Sequence, residues 1–226
     1  MSDQITTFFG ESQITPACLS LDNGSVAMFS AHSPNKLTVN EDAYAIIPVD
    51  AATLILAVAD GAGGHPQADV ASRLAIQGLF REIRNGSDLP PRVAIINGFE
   101  AGQHLIMEQA PRAATTLVVV EITNRTVRTY HAGDSGACVI GGRGKCKMQT
   151  VFHSPTGYAV EAGLLTEIQA MHDAARNIVS NTLGALDMSL QIGTAIELAP
   201  HDTVVVASDG LFDNLLRDEK IGRAHV

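Results

Sequence analysis

The chain has 226 residues, of which 46% are hydrophobic, and it carries a formal net charge of −9. This length suits one α/β domain with a full core, and nothing in the composition indicates two domains. Nucleic-acid binding depends on Lys and Arg side chains that neutralise phosphates. With 15 Lys and Arg against 24 Asp and Glu, the chain is a poor electrostatic match for nucleic acid.

The sequence also argues against a membrane or secreted protein. No apolar run approaches the length of a bilayer span, and the N-terminal residues lack the basic and apolar regions of an export signal. Cys18, Cys138 and Cys146 form no spaced motif, which favours unpaired thiols in a reducing compartment. We therefore expect a cytoplasmic protein without a membrane partner.

The first part of the chain centres on an apolar run that ends in a carboxylate. Residues 1–23 predict an extension or an edge strand, and residues 25–31 predict a strand. Residues 53–59 are too few and too β-branched for a helix, so they predict a buried strand that Asp60 closes. The glycines that follow let the backbone approach a ligand closely. Asp60 and nearby carbonyls could therefore face a cation, although Asp-Gly is also a common turn.

Two helices are predicted after the glycines. Residues 68–84 and 93–107 have the apolar spacing of helices that pack on a sheet. Gly78 and Gly102 lie on the apolar faces, where they either allow a close helix contact or are merely tolerated.

The second half begins with a predicted hairpin. Residues 115–122 and 126–131 have its period-two pattern, and residues 136–140 predict a third strand. Residues 158–175 predict helix with a break at Gly163, and residues 190–198 predict a further strand pair with residues 203–207. His153 and His172 lie in this region, and lone loop histidines are typical of a protein surface.

Carboxylates flank strands at four separate places. Asp42 follows Glu41 and precedes an apolar run, Asp60 and Asp209 end strands, and Asp134 follows the hairpin. Converging carboxylate oxygens are the ligands that Mg²⁺ and Mn²⁺ prefer. The sequence therefore predicts a site for hard cations, provided that these residues meet in the fold.

At these positions the chain resembles the metal-dependent serine/threonine protein phosphatases of type 2C, from about residue 25 to about residue 214. The resemblance implies an α/β fold with an αββα arrangement, in which helices flank two stacked, mainly antiparallel sheets. The matching pieces, in chain order, are Asn40-Glu41-Asp42-Ala43, Val58-Ala59-Asp60-Gly61-Ala62-Gly63-Gly64-His65, Ala71-Ser72, Thr115-Thr116-Leu117, Gly133-Asp134-Ser135 and Ala207-Ser208-Asp209-Gly210-Leu211.

The resemblance also implies a set of metal ligands. Asp60 would bridge two divalent ions, Mn²⁺ or Mg²⁺, of which the Gly61 carbonyl would bind one and Asp209 the other. Either member of the Glu41-Asp42 pair could be the direct ligand; we favour Asp42, with Glu41 binding through water.

Three further positions complete the implied site. Asp134 would hold a third, more weakly bound ion, or it is an ordinary turn residue. His65 is a candidate general acid for the leaving alkoxide, or a loop histidine without a role. The family usually carries a phosphate-binding Arg where this chain has Leu37, and Lys36 is the nearest cation. Lys36 is thus a candidate phosphate ligand, or else a plain lysine in a solvated turn, and Lys is not equivalent to Arg at such a site.

The implied activity is hydrolysis of phosphoserine and phosphothreonine by a metal-activated water, without a covalent enzyme intermediate. The expected partners are phosphorylated proteins in signalling and a cognate Ser/Thr kinase. Two alternatives remain open: a catalytically silent binding or regulatory protein with the same fold, and a two-metal hydrolase of small phosphorylated molecules.

The last residues do not fit the rest of the sequence. Residues 221–226 back-translate to the opening of a widely used sequencing adapter, so we expect an artefactual tail after a single domain of residues 1–220. The family's last metal-binding Asp, in a Gly-rich Asp-Asn motif, has no counterpart in the sequence. For this exact polypeptide we therefore expect an incomplete site and reduced stability.

Overall fold

The computed structural model describes residues 6–10, 12–21, 24–32, 39–216, 219–220 and 222. Along these residues the elements are β1 (Thr6–Phe9), β2 (Ala17–Leu21), β3 (Gly24–Met28), β4 (Asp42–Pro48), β5 (Thr53–Asp60), α1 (Ala68–Asn85), α2 (Pro91–Gln109), β6 (Leu117–Thr123), β7 (Thr126–Ala132), β8 (Gly136–Gly141), β9 (Lys145–Gln149), α3 (Pro155–Glu161), α4 (Glu167–Met171), β10 (Gln191–Ile192), β11 (Ile196–Glu197), β12 (Thr203–Ala207) and α5 (Asp209–Phe212).

Most strands belong to one antiparallel sheet. Its order is β1-β4-β5-β6-β7, and both β10 and β11 pair with β7. A second antiparallel sheet has the order β12-β8-β9. The predicted hairpin is confirmed as β6 and β7.

The alternation of side chains along β6 explains how the layers stack. Leu117 and Val119 belong to the core shared with the helices, whereas Val118 and Val120 pack against Ala137 and other residues of the second sheet. Successive strand residues point to opposite faces, so a strand that is apolar at every position is buried on both sides. The two sheets therefore stack face to face.

Helices α1 and α2 cover the outer face of the larger sheet, with Leu79 and Phe99 fully buried between them and the strands. A Cβ at Gly78 would lie 2.4 Å from the Gly102 nitrogen, so of the two alternatives for these glycines the structure shows the close helix contact. On the other side, Phe212 of α5 packs against Cys138 and Ile140 of the smaller sheet. The predicted class, two mainly antiparallel sheets with helices, is confirmed.

The prediction that residues 190–198 pair with residues 203–207 is wrong. Strands β10 and β11 pair with β7 in the larger sheet, whereas β12 pairs with β8 in the smaller one. Both segments have strand-like patterns, but the pattern gives no information about the partner of a strand.

Residues 154–190, called the flap below, contain α3 and α4 and join the smaller sheet to β10. Gly163 has φ +71° and separates α3 from α4, as the sequence predicts. No residue of α4 is buried. Among the residues that the structure describes, no helix is both long and apolar enough to cross a bilayer.

Candidate metal centre

Asp42, the first residue of β4, lies directly opposite Asp60, the last residue of β5. Their register pairs Asp42 with Asp60 in the antiparallel ladder. Directly opposed residues have Cβ atoms about 4.5–5.5 Å apart, and like charges at such positions are destabilising. The sheet therefore holds two carboxylates together at a cost in stability, which is typical of a functional site.

The backbone of Asp60 is fixed by the strand that follows in the sheet. Its N–H donates to Thr116 Oγ1 at 3.0 Å, and its carbonyl accepts from Thr116 N at 2.9 Å and from Thr115 Oγ1 at 2.8 Å. Thr116 Oγ1 in turn contacts Ser135 Oγ at 2.6 Å, beside Asp134. This chain of hydrogen bonds ties the end of β5 to the turn that carries Asp134.

Gly61 brings the first helix close to the same place. A Cβ at this position would lie 2.4 Å from the Ala68 carbonyl oxygen, so the contact requires glycine. The Gly61 N–H donates to the Glu41 carbonyl at 3.1 Å. His65 is exposed in the glycine-rich loop, where its N–H donates to the Ala62 carbonyl at 3.2 Å.

The end of β12 delivers the third carboxylate. Ser208 Oγ donates to Asp42 Oδ2 at 3.4 Å across a sequence separation of 166. The neighbouring Asp209 begins α5, and it lies close enough to Asp60 for its charge, after burial and the charge of Asp42, to raise the pKa of the Asp60 carboxyl group. Asp42, Asp60 and Asp209 are therefore brought together from three separate strands.

The pKa values report this crowding of carboxyl groups. Burial raises the pKa of Asp60 well above its ordinary value, and the nearby charges of Asp42, Asp209 and Asp134 raise it further. Burial, followed by the charge of Asp209, raises the pKa of Asp134 to about 7. A carboxyl group in such surroundings is stabilised by a proton or a cation.

The carboxylates do not form a finished coordination shell. In the described part of the chain, no three His, Cys, Asp or Glu side chains are arranged so that they could hold a metal ion as they stand. Carboxylates influence one another over about 4–6 Å, whereas coordination needs oxygens about 2.0–2.6 Å from one point. The donor set fits a hard divalent cation in chemistry and charge, and the side chains would have to rearrange to close around one.

Two residues near the carboxylates, Asp213 and Arg176, are not among the site residues that the sequence predicts. Burial and then the charge of Asp209 raise the pKa of Asp213 to about 6, and the Arg176 charge opposes that shift. The spacing of four between Asp209 and Asp213 was a usable signal, because residues four apart share a helix face. Both missed residues line a cleft of about 140 Å³, whose walls are Arg176, Asn177, Asp209, Gly210, Asp213 and Asn214.

The expectation that His153 lies on the surface is wrong, whereas His172 is exposed as predicted. His153 is only 4% exposed, because both its backbone and its ring are hydrogen-bonded inside the protein. Lys36 and Leu37 lie outside the described residues.

Comparison with known proteins agrees with this architecture. The sequence model of the family described as "Protein phosphatase 2C" matches residues 31–225. A putative protein phosphatase 2C-type of Streptococcus pyogenes is 28% identical over 179 residues, covering 74% of this chain and 70% of that protein.

Solved structures show the same fold. The serine/threonine phosphatase of S. agalactiae has a TM-score of 0.70 and 25% identity, and the match covers 87% of this chain and 83% of that one. A catalytic domain of the phosphatase PstP, whose structure is in complex with 2 manganese ions, has a TM-score of 0.65. At 21% identity, with 97% of this chain and 84% of that one covered, this second likeness supports the fold alone.

The family model and the shared fold together define a phosphatase. The chain belongs to the protein phosphatase 2C family, whose members are protein serine/threonine phosphatases.

Proposed function

We propose that this protein hydrolyses phosphoserine and phosphothreonine monoesters in proteins, using water activated at divalent cations, Mn²⁺ or Mg²⁺. The observation that carries the proposal is the opposition of Asp42 and Asp60 at adjacent strand ends, with Asp209 near enough for its charge to act on Asp60. Since this arrangement is unfavourable without positive charge, its chemistry favours cation binding.

Each carboxylate has a proposed task. Asp60 would bind both cations, Asp209 and the Gly61 carbonyl would each hold one of them, and Asp42 would be a direct ligand with Glu41 acting through water. Asp134 would hold a third, weaker cation. When bound, the cations supply a water of lowered pKa and neutralise charge on the phosphoryl oxygens.

Two further residues act on the substrate. His65, exposed in the loop after Gly61, donates a proton to the leaving serine or threonine oxygen. Lys36 binds the phosphoryl group as a point charge, in the region where the family usually has Arg. A Ser/Thr kinase is the class of enzyme that must supply such a substrate.

The test uses the gene product that contains residues 1–220. We expect it to release phosphate from phosphothreonine peptides with Mn²⁺ or Mg²⁺, to lose activity in chelator, and to regain it when metal is restored. Metal-independent turnover would overturn the proposed mechanism. A preference for sugar phosphates over the peptides would overturn the proposed substrate class.

A further inference from the structure

His153 joins the base of the flap to the turn that carries Asp134. Its backbone N–H donates to the Gly133 carbonyl at 3.0 Å, and its carbonyl accepts from Ser180 N at 2.8 Å. Gly133 directly precedes Asp134, and Ser180 lies near the far end of the flap. One residue therefore connects three segments that are distant in sequence.

The imidazole ring makes a second set of contacts, and these contacts fix its tautomer. The Gly133 N–H donates to Nδ1 at 3.1 Å, so Nδ1 must be the acceptor nitrogen. The other nitrogen, Nε2, therefore carries the hydrogen and donates it to Gln191 Oε1 at 2.7 Å. The ring thus faces Gly133 with one nitrogen and β10 with the other.

Asn181 reinforces the same arrangement from within the flap. Its Oδ1 accepts from Ser189 N at 3.0 Å, which orients the amide so that Nδ2 donates to the Ser189 carbonyl at 2.7 Å. Nδ2 also lies 2.8 Å from His153 Nδ1, whose single lone pair it shares with the Gly133 N–H. The two ends of the flap are therefore closed on each other around the His153 ring.

The surroundings leave the ring little freedom. His153 stacks on His131 with ring centroids 4.4 Å apart, and His131 is held by a contact of 2.9 Å between Nε2 and the Val151 carbonyl. On the other side of the turn, a Cβ at Gly133 would lie 2.6 Å from the Thr116 side chain. The Gly133 peptide is thus confined between Thr116 and His153, with φ +116°.

We propose that His153 is a positioning residue, which orients Asp134 toward the other carboxylates by holding the Gly133 N–H while it closes the base of the flap. The inference rests on the proposed function, because the role of Asp134 as a ligand is part of that proposal. Side chains that orient metal ligands typically contribute about 10–100-fold to metal affinity or activity.

Two substitutions of His153 distinguish the roles of its two ring nitrogens. His153→Asn keeps an acceptor near the position of Nδ1 and loses the link to Gln191, whereas His153→Gln keeps a donor near Nε2 and loses the acceptor for Gly133. The matched controls are His172→Asn and His172→Gln, because His172 is an exposed histidine of the same flap. Asp134→Asn identifies which metal-binding event belongs to Asp134.

We expect His153→Gln to weaken the Asp134-dependent step of Mn²⁺ binding by about tenfold or more in calorimetry. The same variant should accelerate hydrogen exchange at the Gly133 amide. His153→Asn should stay within about twofold of the parent in both measurements. Both variants should melt at similar temperatures, so that a loss of fold does not explain the difference.

Equal effects of the two His153 substitutions, or an unchanged Gly133 exchange rate in His153→Gln, would overturn the positioning role. Failure of the proposed function looks different, because the parent would then bind no Mn²⁺ and release no phosphate. In that case the Gly133 exchange rates still decide whether His153 holds the turn.

Discussion

The half of the molecule built from β4–β7, α1 and α2 differs from the flap in where its apolar side chains lie. Ile47, Ile55 and Leu79 are fully buried in the first region. In the flap, Leu164 is 77% exposed and Leu186 is 91% exposed. Burial of one such side chain contributes about 1.5–3 kcal/mol, so these exposed residues lack the stabilisation that the core provides. Leu183, which is fully buried in the core and pairs with Thr115, is the exception that anchors the end of the flap.

This difference separates the candidate ligands into two groups. Asp42 and Asp60 are placed by a packed sheet, which leaves their backbones little freedom. Asp134 is placed by a turn whose hydrogen bonds also close the base of the flap. Regions with few buried apolar contacts open at low free energy. Opening of the flap should therefore displace Asp134 more readily than Asp60.

The largest expected effect comes from Asp60→Asn in the packed region. Activity should fall by about three orders of magnitude or more, because an amide cannot supply the charge proposed to bridge two cations. The free energy of unfolding in metal-free buffer should not decrease, since the change removes one of several crowded carboxyl groups. Phosphopeptide turnover and urea unfolding measure these two quantities, and retained turnover would remove Asp60 from the centre of the site.

His131, on the boundary between the two regions, should make the free energy of unfolding depend on pH. Burial lowers its pKa to about 4 from the ordinary value of 6.5, so between these values the unfolded chain binds more protons than the folded one. Stability should therefore decline as the pH falls from 6.5 to 4, by about 3 kcal/mol from this residue.

His131→Gln tests this prediction, because Gln retains a donor for the Val151 carbonyl but does not titrate. Urea unfolding across the same pH range should show a shallower decline in the variant than in the parent. Identical slopes would mean that His131 titrates alike in the folded and unfolded chains.

A substitution in the helix layer should destabilise the fold without altering the chemistry. Gly78→Ala places a Cβ against Gly102, and overpacking of this kind costs about 1–3 kcal/mol. The matched control is Gln77→Ala, since Gln77 is the exposed neighbour on the same helix. Thermal unfolding should separate the two variants, and equal melting temperatures would show that the helices adjust at no cost.

The smallest expected effect is in the flap. Replacing Leu164 and Leu186 together by Ser should change the free energy of unfolding by less than about 0.5 kcal/mol, because both side chains already contact water. A loss of several kcal/mol in urea unfolding would mean that these residues are buried in solution and that the two regions do not differ as described.

The sequence was informative where the signal is local. The period of apolar residues predicted α1 and the β6–β7 hairpin, and strand-end carboxylates indicated Asp42, Asp60 and Asp209 as candidates. Their ligand roles stay predictions. Sequence pattern could not predict that β12 pairs with β8, because this pairing depends on contacts between segments that are distant in sequence.

His153 shows the same limit for a single residue. A lone histidine before a helix is typical of a surface, and its burial depends on Gly133, Asn181 and Gln191, which come from three other segments. Only the folded chain brings these partners together.

The most direct measurement of the central claim is anomalous X-ray scattering from crystals of the protein grown with Mn²⁺. We predict two strong Mn²⁺ peaks that both contact Asp60, with Asp42 and Asp209 completing the ligands from either side. Well-ordered carboxylates with no Mn²⁺ peak between them would contradict the account.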